Sequence, residues 1–425
     1  MDTGAPQGRD GFIDVRKAEL LAALKAQGGL PPIEARRFAA FVRLLTAIIH
    51  YEALEERERL TELYVPLDPD APPARQAADS AAFAAFEPAL LTALTRGNYL
   101  EIAPDSALSR RDAQRITGLT IKCSQAGIRA TRFFGRGARR QLKEVRRWFG
   151  LRREAIETET FSEVVVFVAF KSSEEMDRAD HAAFKKARLG ARPGSVLIKH
   201  FRNVARAELL TLHPGARPAM TAHDQVFLAA PALVGGVPIA LQIGPAITVL
   251  FTVIALFFGA RGALDNSELQ RALAAVSGLI AVGAFVMRQW MKYERQTLKY
   301  QKQLAETVYF RNLANNGGVI DALIGDGEEQ DVKEAVLAYW RLLTAQRPMT
   351  AAELDADIQQ LLRDRLALRI DFEIADALAK LQRFKLVRRE GEAYEAIALD
   401  AALKALDAAW DDYFSFPDAG AAAAE

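Results

Sequence analysis

The chain has 425 residues, with 55 Lys and Arg against 54 Asp and Glu, so its formal net charge is +1. This balance excludes bulk electrostatic attraction to nucleic acid or to an anionic membrane. The only cysteine, Cys123, excludes an intramolecular disulfide and any cysteine-rich metal site. The length predicts two or three domains, and Met1 to Arg9 lack the basic and apolar runs of a secretory signal.

Two folded regions are predicted before residue 225. Apolar residues recur at helical spacing from Ile13 to Leu63 and again from Ala77 to Arg96, so residues 1–115 are interpreted as a helical amino-terminal unit. Residues 116–224 contain β-rich runs such as Ser162 to Lys171. They are interpreted as a small α+β domain.

The strongest local charge cluster lies in this second region, where basic residues alternate with aromatic ones. Such a cluster could rest on anionic headgroups. The alternatives are a solvated helix face with its aromatic residues in the local core and, as a third choice, an RNA-binding surface. The candidate membrane-surface residues are Arg132, Arg136, Arg139, Arg140, Lys143, Arg146 and Arg147.

Residues 225–291 predict a transmembrane hairpin, because no charged residue occurs between Asp224 and Arg261 and a second apolar run follows. The expected spans are about 238–260 and 269–291. The alternative is a pair of buried helices in a large core. Four residues break the first span or place a polar group in it: Pro231, Pro238, Gln242 and Pro245.

Small residues at three- and four-residue spacing in the second span form a stripe that lets another helix approach closely. The stripe predicts packing of the two spans and a homo-oligomer. Lys and Arg residues flank the outer ends of the hairpin, so both termini are expected in the cytoplasm. The predicted localisation is the bacterial inner membrane, as a multi-pass protein. The stripe consists of Ala274, Ser277, Gly278, Ala281 and Ala284.

Three further segments follow the hairpin. Residues 292–345 predict cytoplasmic helices, and residues 346–416 show a helix, helix and two-strand order that is typical of a winged-helix domain. The alanine-rich residues 417–425 are expected to be disordered. From residue 351 to the end there are 16 acidic and 9 basic residues. This excess of acid disfavours nucleic acid as a partner of the winged-helix pattern.

Catalytic and cofactor motifs are absent from the sequence. It contains no phosphate-binding Gly-Lys-Ser/Thr loop, no His-Glu-x-x-His and no Gly-x-Ser-x-Gly. The sequence therefore predicts no catalytic residue, no cofactor and no metal. The leading functional hypothesis is a non-enzymatic membrane scaffold or regulator whose cytoplasmic domains bind a protein or the membrane surface. The alternatives are an oligomeric channel or transporter subunit and a lipid-acting membrane enzyme.

A set of short motifs occurs in order along the chain: Phe12-Ile-Asp-Val-Arg-Lys-Ala-Glu-Leu20, Ile49-His-Tyr-Glu52, Tyr64-Val-Pro-Leu-Asp-Pro-Asp70, Gly97-Asn-Tyr99, Phe134-Gly-Arg-Gly137, Lys199-His-Phe-Arg-Asn203, and Glu328-Glu-Gln-Asp-Val-Lys-Glu334 with Ala338-Tyr339. In this order the motifs resemble the family of transmembrane protein 143 and its bacterial and plant relatives. The resemblance implies a membrane α+β protein with two spans and a domain of unassigned activity, and it carries over no catalytic residue.

Overall fold

Contacts divide the chain into two compact units, each formed by segments that are distant in sequence. Unit 1 comprises Met1–Asp105, Gln125–Pro214 and Arg311–Glu425, and unit 2 comprises Ser106–Ser124 and Gly215–Phe310. The computed structural model describes residues 10–72, 80–103, 120–123, 125, 127–147, 152–187, 191–219 and 311–414, together with scattered positions from 251 to 310.

Unit 1 combines helices with a five-stranded antiparallel sheet. The strands are β1 (Leu100–Glu101), β3 (Ile128–Arg147), β4 (Arg152–Phe170), β5 (Val196–Ala205) and β7 (Asn312–Asn315), and the sheet order is β1-β3-β4-β5-β7. The described helices are α1 (Lys17–Gln27), α2 (Pro32–Tyr64), α3 (Ser80–Arg96), α4 (Arg178–Ala187), α5 (Gly317–Ala345), α6 (Ala351–Leu366), α7 (Ile374–Arg383) and α8 (Leu399–Asp412), with a 3-10 helix at Arg206–Leu212.

The centre of the sheet is the apolar half of β4. Residues 164–170 read Val-Val-Val-Phe-Val-Ala-Phe, and all seven are buried. A continuous apolar run of this kind is typical of a strand that is covered on both faces. Val165, Phe167 and Ala169 lie on the face that packs with residues of α2, α3 and α5. The β-rich run predicted from Ser162 to Lys171 coincides with the second half of β4.

A second core joins α1, α2 and α5 to the carboxy-terminal elements. Phe41 of α2 stacks on Tyr339 of α5 with ring centroids 4.2 Å apart. Strands β8 (Met349–Thr350), β9 (Val387–Glu390) and β10 (Ala393–Ala396) form a separate sheet in the order β8-β10-β9. Two helices followed by a strand hairpin match the element order predicted for residues 346–416.

Helix α5 crosses both cores and carries an unusual amount of buried charge. Asp331, Lys333 and Glu334 are each 2 % exposed, as is the polar Gln330. Buried charged groups need partners, because an unpaired charge away from water costs several kcal/mol. The partners of this helix lead to the candidate site.

Unit 2 contains a two-stranded antiparallel pair, β2 (Thr120–Cys123) with β6 (Ala216–Ala219). In the part of the chain that the structure describes, no helix has the length and apolar character needed to cross a bilayer. Among the predicted breaks and stripe residues, Ser277 and Ala284 are described, and both are helical. The others lie outside the described residues: Pro231, Pro238, Gln242, Pro245, Ala274, Gly278 and Ala281.

The predicted membrane fold class is therefore wrong, and the fold is corrected to α+β with a five-stranded antiparallel sheet. The assignment of 225–291 as a transmembrane hairpin and the multi-pass inner-membrane localisation with cytoplasmic termini are withdrawn with it. The physical reason is that an apolar run indicates a segment that is shielded from water. It does not indicate whether lipid or the rest of the protein shields the segment.

Candidate functional site

Five polar side chains from five elements or turns converge inside unit 1, and we call them the polar centre. They are Tyr99, Arg136, Glu163, His200 and Asp326. The antiparallel register places Arg136 of β3 directly opposite Glu163 of β4, while His200 of β5 lies opposite Val165, two residues further along β4. Tyr99 follows α3, and Asp326 lies on α5. Neighbouring strands and one crossing helix thus bring together residues that are far apart in sequence.

The Tyr99 hydroxyl is the hub of the polar centre. It lies 2.7 Å from Glu163 Oε2, 2.9 Å from Asp326 Oδ2 and 3.1 Å from His200 Nε2. His200 Nε2 is also 3.0 Å from Glu163 Oε2. His200 is 3 % exposed, and its Nδ1 has no hydrogen-bond partner among the described residues.

Arg136 closes the other side of the polar centre. Its Nη2 lies 2.7 Å from Glu163 Oε2 and 2.8 Å from Asp326 Oδ1, and its Nη1 donates to the Gly97 carbonyl at 3.0 Å. The guanidinium carbon is 4.3 Å from the ring centroid of Phe12 and 4.5 Å from that of Tyr99. Arg136 is 3 % exposed, so it is a core residue and not part of a basic surface.

The two carboxylates of the polar centre have pKa values shifted in opposite directions. Burial by itself would raise the pKa of Glu163, but His200, Arg136 and Tyr99 outweigh it and lower the pKa to about 2. Burial raises the pKa of Asp326, with Arg136 opposing the shift and Glu163 adding to it. Burial also holds the pKa of Tyr99 well above its ordinary value. Tyr99 is therefore protonated at neutral pH, and Glu163 is ionised.

The polar centre has fewer protons available for hydrogen bonding than it has close polar contacts. Four short contacts join Tyr99, Glu163, His200 and Asp326. With both carboxylates ionised and a neutral His200 protonated at Nε2, the phenol and the imidazole each supply a single proton. Arg136 offsets one of the two carboxylate charges. The charge of the polar centre is balanced if Asp326 or His200 takes a proton, or if a further cation binds.

A cavity of about 350 Å³ opens beside the polar centre. Its wall is shared by Arg136, Glu163 and Asp326, by residues 12–16 and Glu19, and by the α5 residues Glu329, Gln330 and Lys333. A cavity of this volume has room for an ion with its waters or for a small molecule.

Residues 10–16 form a strap over this cavity. Buried Lys333 donates to the carbonyls of Ile13 and Val15 at 2.9 and 3.1 Å, and the Gln330 side chain accepts from the Ile13 N–H at 3.1 Å. The Asp10 carboxylate accepts from the Ala138 N–H at 3.0 Å. Burial lowers the pKa of Lys333. The buried charge of α5 thus positions the strap.

A second group of buried charges lies further along α5, and we call it the lysine cluster. Lys380 Nζ contacts Asp331 at 2.5 Å and Glu334 at 3.6 Å and also pairs with Asp376. Arg96 Nε donates to Asp331 at 2.5 Å. The cluster borders a cavity of about 1090 Å³. Burial raises the pKa of Glu334 to about 8, against the effects of Lys380 and Asn98.

Both groups contain three acidic or histidine side chains whose ligand atoms lie within 4.8 Å of one another: Glu163, His200 and Asp326, and Asp331, Glu334 and Asp376. In the lysine cluster the Lys380 ammonium already contacts all three carboxylates. The polar centre has Arg136 at its side and a neutral phenol at its hub. It is the better candidate for binding an added cation.

The predicted basic cluster is divided by the structure. Arg132 pairs with Glu101 at 2.7 Å and Glu87 at 3.1 Å, whereas Arg136 belongs to the polar centre. Arg139 and Arg140 are exposed and pair with Asp14 and Glu157. Lys143, Arg146 and Arg147 continue strand β3. The segment is a strand and not the helix face of the alternative interpretation, and no observation tests its predicted membrane-surface role.

The polar centre was missed from sequence because no short motif contains it. Arg136 was noted for its charge alone, and Glu163, His200 and Asp326 are separated by 37 and 126 positions. One signal was present: Glu163 and His200 interrupt strands that are otherwise rich in Val, Ile and Phe. A charged residue in a buried strand needs a partner, so it is a reason to search for a site.

Comparison with known proteins identifies one region of the chain. Residues 161–318 match the model of a family described as a protein of unknown function (DUF3754). Comparisons with curated proteins and with solved structures gave no match, and nothing found supports the resemblance to transmembrane protein 143. Glu163 and His200 lie within the matched region, whereas Tyr99, Arg136 and Asp326 lie outside it. Residues 161–318 of this chain are thus similar to the DUF3754 family.

Proposed function

We propose that the chain binds a divalent metal ion at Glu163, His200 and Asp326. The observation that carries the proposal is the convergence of two carboxylates and one imidazole within 4.8 Å, inside the unit, with Arg136 in contact with both carboxylates. Two oxygen donors and one nitrogen donor suit a first-row ion such as Mn²⁺, Fe²⁺ or Zn²⁺ better than Ca²⁺, which prefers oxygen alone.

The neighbouring residues have distinct roles in this proposal. Arg136 contacts the same carboxylates as the proposed metal, so it holds them in place and also competes for their charge. Tyr99 orients Glu163 and Asp326 through its hydroxyl. Metal binding must displace a proton from any ligand that carries one, so affinity rises with pH. The raised pKa of Asp326 makes it the residue from which that proton comes.

The proposal is tested by titrating the metal-free chain with Mn²⁺ and measuring the electron paramagnetic resonance signal of the free ion. The wild type should bind about one equivalent with an affinity that rises with pH. Asp326→Asn should weaken binding at least tenfold, because a charged ligand is lost. Asp376→Asn is the matched control, since it removes the same charge from the lysine cluster, and it should leave Mn²⁺ binding unchanged. Equal binding by the wild type and Asp326→Asn would exclude this site.

A second candidate function is acid–base chemistry on a small molecule in the 350 Å³ cavity. The observation in its favour is the separation of the two carboxylate pKa values, which assigns Glu163 as the ionised partner and Asp326 as the proton donor. The carbonyl stretching band of protonated Asp326, identified by its loss in Asp326→Asn, should persist in metal-free protein to a higher pH than the band of an ordinary aspartic acid. Loss of the band at the pH at which an ordinary aspartic acid ionises would exclude this role.

The non-enzymatic scaffold or regulator predicted from the sequence also remains a proposal, as do the homo-oligomer and the protein partner. The channel alternative relied on the two spans, and the finding on the described helices removes that support. The lipid-acting enzyme alternative relied on the basic cluster and remains a proposal. The resemblance to the family of transmembrane protein 143 is supported only by the order of the short motifs along the sequence.

A further inference from the structure

Helix α3 ends in a turn of residues 96–99, which we call the Tyr99 turn. The Asn98 N–H donates to the Thr95 carbonyl at 2.9 Å, and the Tyr99 N–H donates to the Leu94 carbonyl at 2.9 Å. These two hydrogen bonds form the Schellman motif that ends many helices. The left-handed position of the motif is Asn98, with a φ of 60°. Glycine is the usual residue at this position, so an asparagine there points to a role of its side chain.

The side chain of Asn98 bonds to the lysine cluster. Asn98 is 3 % exposed, and its Nδ2 donates to Glu334 Oε1 at 3.2 Å. A buried amide costs free energy unless it is hydrogen-bonded. The bond therefore holds Asn98, and the turn around it, against helix α5.

Successive residues of the Tyr99 turn contact the lysine cluster and the polar centre alternately. The side chains of Arg96 and Asn98 contact carboxylates of the lysine cluster. The Gly97 carbonyl accepts a hydrogen bond from the guanidinium group of the polar centre at 3.0 Å. The Tyr99 hydroxyl is the hub of the polar centre. The turn thus joins the two clusters by direct contacts.

The Tyr99 ring has little freedom to move independently of the turn. Tyr99 is 3 % exposed. A Cβ atom added to Gly97 would lie 3.1 Å from the ring, so the ring packs closely against the backbone of the turn. Because a packed interior allows few alternative positions, the place of the Tyr99 hydroxyl follows from the backbone conformation of the turn.

We propose that Asn98 is a positioning residue for the metal site, and that its bond to Glu334 couples the lysine cluster to the polar centre. The proposal rests on the metal ion proposed for the polar centre. Without this bond the turn loses one of its attachments to α5, and the Tyr99 hydroxyl is less firmly held between the two carboxylates that it orients.

Mn²⁺ titration of the full chain with Asn98→Gly tests the positioning role. Glycine favours the left-handed position, so this variant keeps the backbone conformation and removes the amide. We expect the affinity for Mn²⁺ to fall about tenfold, the lower end of the range for residues that orient metal ligands. Gln346→Gly is the matched control, since Gln346 is an exposed left-handed residue at the end of α5. Equal affinities in the two variants would overturn the proposal.

A double-mutant cycle tests the coupling. Glu334→Met removes the acceptor at similar side-chain volume, and it should weaken Mn²⁺ binding by a factor similar to that of Asn98→Gly. The double variant should bind no more weakly than either single variant, because both changes remove the same bond. Effects that simply add would show that Asn98 acts independently of Glu334, and they would overturn the coupling.

A measurement on metal-free protein separates positioning from a loss of stability. In protein labelled with ¹³C at the tyrosine Cζ, the nuclear magnetic resonance signal of Tyr99 is identified by its absence in Tyr99→Phe. The signal should shift in Asn98→Gly and not in Gln346→Gly, because the hydrogen bonds of the phenol change. An unchanged signal in Asn98→Gly would contradict the positioning role. Failure of the metal proposal is distinct, because it appears as the absence of a Mn²⁺ site in the wild type.

Discussion

The polar centre and the lysine cluster lie on the same helix and meet the same physical problem with different results. In the lysine cluster, the Lys380 ammonium contacts all three carboxylates, Asp331, Glu334 and Asp376. In the polar centre, Arg136 contacts Glu163 and Asp326 from one side. The comparison teaches that similar groups of acidic side chains differ in whether a cation of the protein already lies among them, in the position that an added metal ion would take.

The largest expected effect concerns Glu334, whose pKa is raised from 4.5 to about 8. A raised pKa in the folded state means that its contribution to stability is complete below pH 4.5 and is lost as pH rises to about 8. The difference corresponds to about 5 kcal/mol as an upper limit. We predict that Glu334→Gln gains stability relative to wild type across this window, as measured by urea unfolding at several pH values. A constant difference between the two proteins would contradict the prediction.

Lys380 provides the next largest effect. Lys380→Met leaves Asp331 with Arg96 as its remaining close cation and removes the charge beside Glu334. Breaking a buried ion pair from one side costs about 3–5 kcal/mol, so the free energy of unfolding at pH 7 should fall by roughly this amount. Lys404→Met, at an exposed position of α8, is the control. A loss of stability no larger than in this control would show that Lys380 does not balance the cluster.

Glu163 should show the opposite pH dependence to Glu334. Its pKa is lowered from 4.5 to about 2, so its contribution to stability is present above pH 4.5 and is lost as pH falls toward 2. The difference corresponds to about 3 kcal/mol. Unfolding of the wild type and Glu163→Gln in the presence of a chelator should converge as pH falls through this window. Curves that stay parallel would mean that Glu163 is not held in its ionised form.

The prediction of elements from the sequence succeeded where the signal is local. The run from Ser162 to Lys171 is rich in Val and Phe, and it is part of β4. The helix, helix and hairpin order of residues 346–416 was also visible, because its signals are local. Thr350 caps α6 together with Glu353, and Gly391 lies in the turn between β9 and β10.

The sequence failed where the outcome depends on distant residues. Pairing of β5 with β7 joins Lys199 to Asn315, and no local pattern specifies such a partner. The polar centre depends on this kind of long-range register, so its residues could not be grouped in advance. The prediction of a transmembrane hairpin was wrong for a different reason. The apolar runs are hydrophobic, but hydrophobicity alone does not identify whether lipid or protein surrounds them.

The most direct test of the central claim is a comparison of metal stoichiometry between the two clusters. Calorimetric titration with Mn²⁺ should give about one site in the wild type. The double variant Asp331→Asn and Asp376→Asn should keep that site, provided that it remains folded, and the double variant Glu163→Gln and Asp326→Asn should lose it. Loss of the site in the first variant, or its survival in the second, would contradict the account of the polar centre.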